Sequence, residues 1–377
     1  MSYSESLTVK LELGMDAVKK NIIINSLEKR IPWNILRIIG STAKLDFARG
    51  LAATAQRWRE YELNDVTADS FFKLDKFYKE QFLYFNKTVS IDEVEPESFE
   101  FIYNHARKIK PVVDEVVINY PYIDENTDSL LSALPQLTHV SEDADGINFV
   151  YASVKSMVET FSINVSTLKD AELLGTLEGV FDIRAKRRIT RRYYDSVYLR
   201  RSDSTIELKL DTSSYLSKED TDNSFSMLRE EFYKDLRKVV SLESKKFNRC
   251  NFFTLIPAVY HKHQDRACEL GFCVGDVIHH ERLRLGQHDL RQQLFHKAGV
   301  EKVSDISLFR IAVKKINSIG SVNYHSELYF PGVSKMTGDA FPYLSHVILS
   351  ECCSKNDYDY FIQSIKDCKL SYFKSDV

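Results

Sequence analysis

Residues 196–210 read SVYLRRSDSTIELKL, two alternating runs on either side of the polar turn Ser202-Asp203-Ser204. Alternation places every second side chain on one face of a strand, and a short polar turn brings two such runs back antiparallel. A chain containing this hairpin has to build an antiparallel sheet around it. The segments upstream extend the same character, INFVYASVKSMVETFSINVS from Ile147 and GTLEGVFDIRAKRRIT from Gly175.

The first 145 residues carry a different period. Met15 to Ile39 reads as helical segments broken near Pro32, with Gly40 as a stop. Ser41 is placed to cap a helix through Tyr61, in which Leu45, Ala48, Ala52 and Ala55 form a stripe. Helical spacing continues through FFKLDKFYKEQFLYF, with Phe72, Phe77 and Phe82 expected in a core, and through SFEFIYNHARKI. The runs LTVKLEL (Leu7–Leu13) and VVDEVVINY (Val112–Tyr120) are strand-like, and SEDADG (Ser141–Gly146) is the best linker composition in the chain.

A charged helix is expected from Ser224 to Val240, followed by an α/β final third. At 377 residues the chain exceeds one typical core. The fold class read from these patterns is α+β. A mainly helical N-terminal domain (1–145) with an initial strand precedes a mixed α/β domain (146–377), with a sub-boundary near 245 and the basic hairpin inside it.

Hydrophobic content of 44% with 28% charged residues argues against wholesale disorder. The N-terminus lacks the basic and apolar regions of a secretory signal, and no run of roughly eighteen apolar residues occurs. All six cysteines fall in the last third and two are adjacent, as reduced thiols would be. The expectation is a soluble cytoplasmic protein without a membrane partner.

The net charge of −3 conceals strong polarity. Between Asp92 and Asp145 there are 13 acidic residues against three basic ones. Between Arg184 and Arg201 stand Arg184, Lys186, Arg187, Arg188, Arg191, Arg192, Arg200 and Arg201 against Asp195 alone. Arginine offers a planar fork that binds phosphate bidentately, so this cluster nominates a nucleic-acid contact, DNA or RNA, on a basic hairpin. Tyr193 and Tyr194 would stack on unpaired bases. Two rival readings are a solvated edge strand and pairing with the acidic segment, within the chain or between subunits.

The same hairpin resembles PD-(D/E)xK nucleases, which place one acid on a strand and acid-x-lysine on the next. The resemblance implies Asp195 and Glu207 as ligands of a divalent metal and Lys209 as the group orienting the attacking water.

Six of the ten histidines lie between His261 and His296. After the apolar run FFTLIPAVY, read as a strand, His261 and His263 would point to one side. Cys268 and Cys273, with His279 and His280, have spacings compatible with zinc. The H-x-H-x-D pattern of His261, His263 and Asp265 resembles the metal-binding motif of metallo-β-lactamase-fold hydrolases, with Arg266 where that family's next histidine belongs.

Farther on, Asp289–Ala298 and Asp305–Ile316 read as two helices joined across Gly299, a plain packed pair by the length of the connection, with a helix-turn-helix module carrying Arg310, Lys314 and Lys315 on its second helix as the alternative. YLSHVILSECC reads as a buried strand with Cys352 and Cys353 on opposite faces, and DYDYFIQSIKDC as a closing helix. No P-loop, G-x-G-x-x-G or G-x-S-x-G motif is present. The first reading of function is a nucleic-acid-binding protein or complex subunit. The alternatives are a metal-dependent hydrolase or nuclease, and a non-catalytic interaction subunit that pairs with a protein partner or with itself.

Overall fold

Among the described residues eleven strands form one antiparallel sheet, and the hairpin at 196–210 lies within it. The computed structural model describes residues 15–111, 120–122, 130–163, 179–180, 183–211, 217–242, 246–283, 288–303, 305–319 and 322–373. The strands expected at Leu7–Leu13 and over 112–119 lie outside these residues.

In chain order the described strands are β1 (Lys87–Val94), β2 (Gln136–Glu142), β3 (Gly146–Ile163), β4 (Ile183–Arg200), β5 (Thr205–Leu210), β6 (Phe247–Arg249), β7 (Arg266–Val274), β8 (Val277–Arg282), β9 (Ser307–Ile319), β10 (Val322–Phe330) and β11 (Val347–Ser350). They are ordered β2-β3-β4-β5-β1-β11-β10-β9-β7-β8, and β6 pairs with β1. The described helices are α1 (Ala17–Arg30), α2 (Trp33–Thr42), α3 (Leu51–Glu60), α4 (Asp65–Tyr84), α5 (Pro96–Ala106), α6 (Lys218–Arg237), α7 (Ile256–Lys262), α8 (Leu294–Val300) and α9 (Lys355–Phe373). The class is α+β, with helices first, strands in the middle and a mixed end.

Local chemistry explains the N-terminal helices. The Asp16 side chain accepts from the Lys19 amide at 2.7 Å and caps α1, and Asn64 with Thr67 forms a capping box at α4. Gly40 does not stop a helix. It lies inside α2, where an added Cβ would stand 2.6 Å from the Phe47 ring. The helix expected from Ser41 begins only at Leu51, because Gly50 takes a φ of 96° that ends helical continuity. In α4 the buried stripe is Phe71, Leu74, Tyr78 and Phe82, whereas Phe72, one position off that stripe, is exposed.

Three apolar layers hold the sheet. On one face Phe149, Leu199, Ile206 and Leu208 pack beneath α5 and α6, against Ile102, Leu228 and Phe232. On the other, Val89, Val347, Leu349 and Leu328 pack against Val259 of α7 and Phe361 and Ile365 of α9. Helices α1–α4 form a third layer, joined by Val150, Ala152 and Tyr194 from β3 and β4. Phe232 is fully buried, so Phe232→Ala would cost about 3–5 kcal/mol.

Several sequence expectations change. SEDADG is a hairpin turn between β2 and β3, not a linker: the Asp143 carboxylate accepts from the amides of Asp145 (2.8 Å) and Gly146 (2.9 Å). An added Cβ on Gly146 would stand 2.1 Å from the Leu199 carbonyl oxygen, so only glycine fits this close approach. The sheet crosses this point without a break, since β1 from the N-terminal part lies between β5 and β11.

FFTLIPAVY is a 3-10 turn followed by α7, with Pro257 in the first helical turn. The second helix expected at Asp305–Ile316 is strand β9, paired to β10 and β7. A central strand buried on both sides shows a continuous apolar run, and such a run does not separate helix from strand. Asp289–Ala298 is a 3-10 turn plus the short α8, so no helix-turn-helix forms. Cys352 and Cys353 do face opposite ways, into separate cores, and all six cysteines are free thiols. No helix among the described residues is long and apolar enough to cross a membrane.

Candidate nucleic-acid interface

β3 and β4 pair in register over their full eighteen residues. Their outer neighbours are shorter: β2 accompanies β3 only along Ile147–Ala152, and β5 accompanies β4 only along Ser196–Arg200. From Lys155↔Arg191 to Ile163↔Ile183 the pair is a two-stranded ribbon. Nine residues at about 3.3 Å each make it roughly 30 Å long.

Arg184, Lys186, Arg187, Arg188 and Arg191 are all exposed on this ribbon. Alternation sends Arg184, Lys186 and Arg188 to one face and Arg187 and Arg191 to the other. Residues 155–163 and 183–191 hold six cations and one acid, Glu159. The two strand segments of the ribbon are therefore strongly basic.

Its foot is fixed by buried charge. Lys155 pairs with Asp195 at 2.7 Å, and Asp195 also accepts from the Asp211 amide at 2.8 Å. Asp211 receives Arg30 at 2.6 Å, Lys87 at 3.2 Å and the Tyr194 amide at 3.0 Å. Burial alone would raise the Asp211 carboxyl, but Lys87 and Arg30 outweigh it and hold it well below the usual carboxylate range. Arg30 also donates to the Arg192 carbonyl, which ties α1 to β4. Sequence reading missed Arg30, Lys87, Lys155 and Asp211, because such partners are joined only by strand register and helix packing.

The eight basic residues named from the sequence thus divide. Five stand on the ribbon. Arg192 is 1% exposed and lies at the foot, within hydrogen-bond reach of the Tyr194 hydroxyl at 3.4 Å. Arg200 is buried at the far end of β4, held by Glu207 and by Asp359 at 2.8 Å. Arg201 pairs with Glu100 at 2.7 Å, which joins the basic and acidic segments within one chain at that point. Tyr194 is buried against Phe82 and Tyr120, so it is closed to stacking on bases.

The acid and acid-x-lysine residues do not converge. Tyr198 stands opposite Glu207, and Ser196 opposite Lys209, so Asp195 projects from the other face of the sheet. Both Glu207 oxygens are engaged, by the Arg200 guanidinium and by the Tyr358 hydroxyl at 2.9 Å. Lys209 is fully buried with its Nζ 5.0–5.2 Å from the ring centres of Tyr84, Tyr198 and Tyr358. That Nζ has no hydrogen-bond partner among the described residues. Burial pushes the amine down to about 7, against the attraction of Glu207. This is a sealed charge in an aromatic cage, not a group open to water or metal.

The histidines also separate. His261 is exposed on α7 and lines an apolar cavity of about 530 Å³ with Phe253, Val303, Leu308 and Met336. His263 is buried past the helix end, and its Nδ1 accepts from the Asp265 amide at 3.2 Å. Burial lowers its basicity while Asp265 raises it. The loop takes its shape from Arg291, which donates to the carbonyls of Tyr260 (3.0 Å), His263 (2.9 Å) and Asp265 (2.6 Å) and pairs with Asp289 at 2.6 Å. His279 stacks on Phe272, His280 meets Glu269 at 2.9 Å, and His296 meets the Tyr260 hydroxyl at 2.8 Å. Cys268 is buried beside Glu327, which with desolvation pushes its thiol up to about 12. Among the described residues no three His, Cys, Asp or Glu side chains gather as a metal ion requires.

Comparison of the chain with protein-family models finds no match, and neither does a search of curated proteins.

Proposed function

We propose that the protein binds nucleic acid through the β3–β4 ribbon, with Arg184, Lys186, Arg187, Arg188 and Arg191 contacting phosphates. One observation carries this reading: five exposed cations occupy both faces of a ribbon that extends past its neighbouring strands. A charge-blunted edge strand needs only a few cations along one sheet edge. This ribbon pairs with no third strand among the described residues beyond the foot, so its charge lies along an arm. Each phosphate neutralised releases counterions, which makes affinity steeply salt-dependent.

Asp195 stands on the face opposite Glu207 and Lys209, so catalysis at this hairpin gains no support. The test is charge reversal at Lys186 and Arg188, measured by fluorescence anisotropy at low salt with mixed-sequence DNA and RNA. Affinity is expected to fall at least about tenfold. Unchanged retention of every nucleic acid refutes the proposal.

A further inference from the structure

We infer that the ribbon is shaped for the major groove of a B-form duplex, a reading that rests on the nucleic-acid function proposed above and names its partner. Shape is the first argument. A major groove about 12 Å wide admits a two-stranded β-ribbon as it stands, whereas a minor groove of about 6 Å has to be widened to take one. The major groove of an A-form RNA duplex is too deep and narrow for side chains to read. The nine pairs between Lys155↔Arg191 and Ile163↔Ile183 run without a bulge, so the arm is continuous over a length of roughly nine base-pair steps.

The placement of charge is the second argument. A ribbon seated in a groove lies between two phosphate walls, which long side chains from either of its faces can reach. Arg184, Lys186 and Arg188 supply one face and Arg187 and Arg191 the other, all exposed. Arg184, Lys186 and Arg188 follow one another at about 6.6 Å, close to the axial rise of two phosphates along one DNA strand, and Arg187 and Arg191 stand about 13 Å apart.

The third argument is the chemistry between the cations. The exposed described ribbon positions carry Ser156, Val158, Thr160, Ser162 and Thr190 besides the five cations. Small and hydroxyl-bearing side chains between long cations suit a groove floor, where Ser and Thr reach base edges and a valine methyl can meet the thymine methyl.

The test compares a 20-base-pair DNA duplex with a single strand of the same sequence and with the corresponding RNA duplex, at equal salt, by fluorescence anisotropy. The expected order is duplex DNA at least about tenfold tighter than either competitor. Glucosylated hydroxymethylcytosine, which fills the major groove, is expected to weaken binding by a similar factor, and netropsin in the minor groove to leave it unchanged. Equal or tighter binding of the single strand or the RNA duplex overturns the inference and leaves nucleic-acid binding standing. Competition by netropsin overturns it in the same way. Absence of binding to all three removes both. Lys186→Ala with Arg188→Ala on the exposed arm, checked by an unchanged thermal melt, ties the measured preference to the ribbon.

Discussion

Replacing Lys209 by methionine should make the protein more stable, and the gain should depend on pH in one direction. The Lys209 amine is fully buried among three tyrosine rings, and burial carries it from an ordinary value of 10.5 to about 7. A depressed lysine means that the unfolded chain binds more protons than the folded one between those two values, so stability rises with pH across that window. Below about pH 7 both states are charged and the full penalty applies. A separation of about 3.5 units at 1.36 kcal/mol each sets that penalty near 5 kcal/mol at pH 6, falling to about 1 kcal/mol at pH 10. Methionine keeps the length and packs well against aromatic rings, while Glu207 retains Arg200 and Tyr358. Urea unfolding at pH 6, 8 and 10 should show Lys209→Met more stable than the parent by about 2–5 kcal/mol at pH 6. The two curves should converge toward pH 10. A variant that is less stable at pH 6, or that keeps the parent's slope, refutes the account of Lys209 as a buried, unpaired cation.

Other consequences can be checked in the same way. Asp211 is held below the usual carboxylate range, so its stabilisation is present above about pH 4 and is lost as acid protonates the folded state. Asp211→Asn should cost about 3–5 kcal/mol at neutral pH and flatten the acid limb of the stability curve, which an unchanged limb would contradict. Arg291→Met removes donors to three carbonyls and should cost about 2–4 kcal/mol while opening the loop at His263–Asp265 to limited proteolysis. Equal protection of that loop would count against the clamp. For DNA binding, a plot of log affinity against log salt should have a slope of about −4 to −5 from five phosphate contacts. Lys186→Ala with Arg188→Ala should reduce it by about 2, and an unaltered slope would remove those residues from the interface.

The fold was legible wherever one face of an element is buried. The hairpin at 196–210, the helical span of α4 and the closing helix α9 each declare themselves by periodicity, although the buried stripe of α4 runs through Phe71 and not Phe72. The β character of the ribbon was legible as well, but its extension past β2 and β5 was not, because that depends on which strands pair and for how long. Strand β9 was hidden for a different reason: burial on both faces gives LFRIAV a nearly continuous apolar character. The site residues failed on parity. Spacing along the chain cannot say whether Asp195 shares a face with Glu207, because that depends on how many residues the turn at Arg201–Ser204 consumes. One residue more or fewer would exchange the faces.

The knot at Asp211 also gives the molecule a mechanical character. An arm of roughly 30 Å meets the body where one carboxylate is gripped by α1 through Arg30 and by β1 through Lys87. Asp211 is thus a fulcrum, and Arg30, which also holds the Arg192 carbonyl, is the strut behind it. A force on the arm would pass through these contacts into α1 and β1.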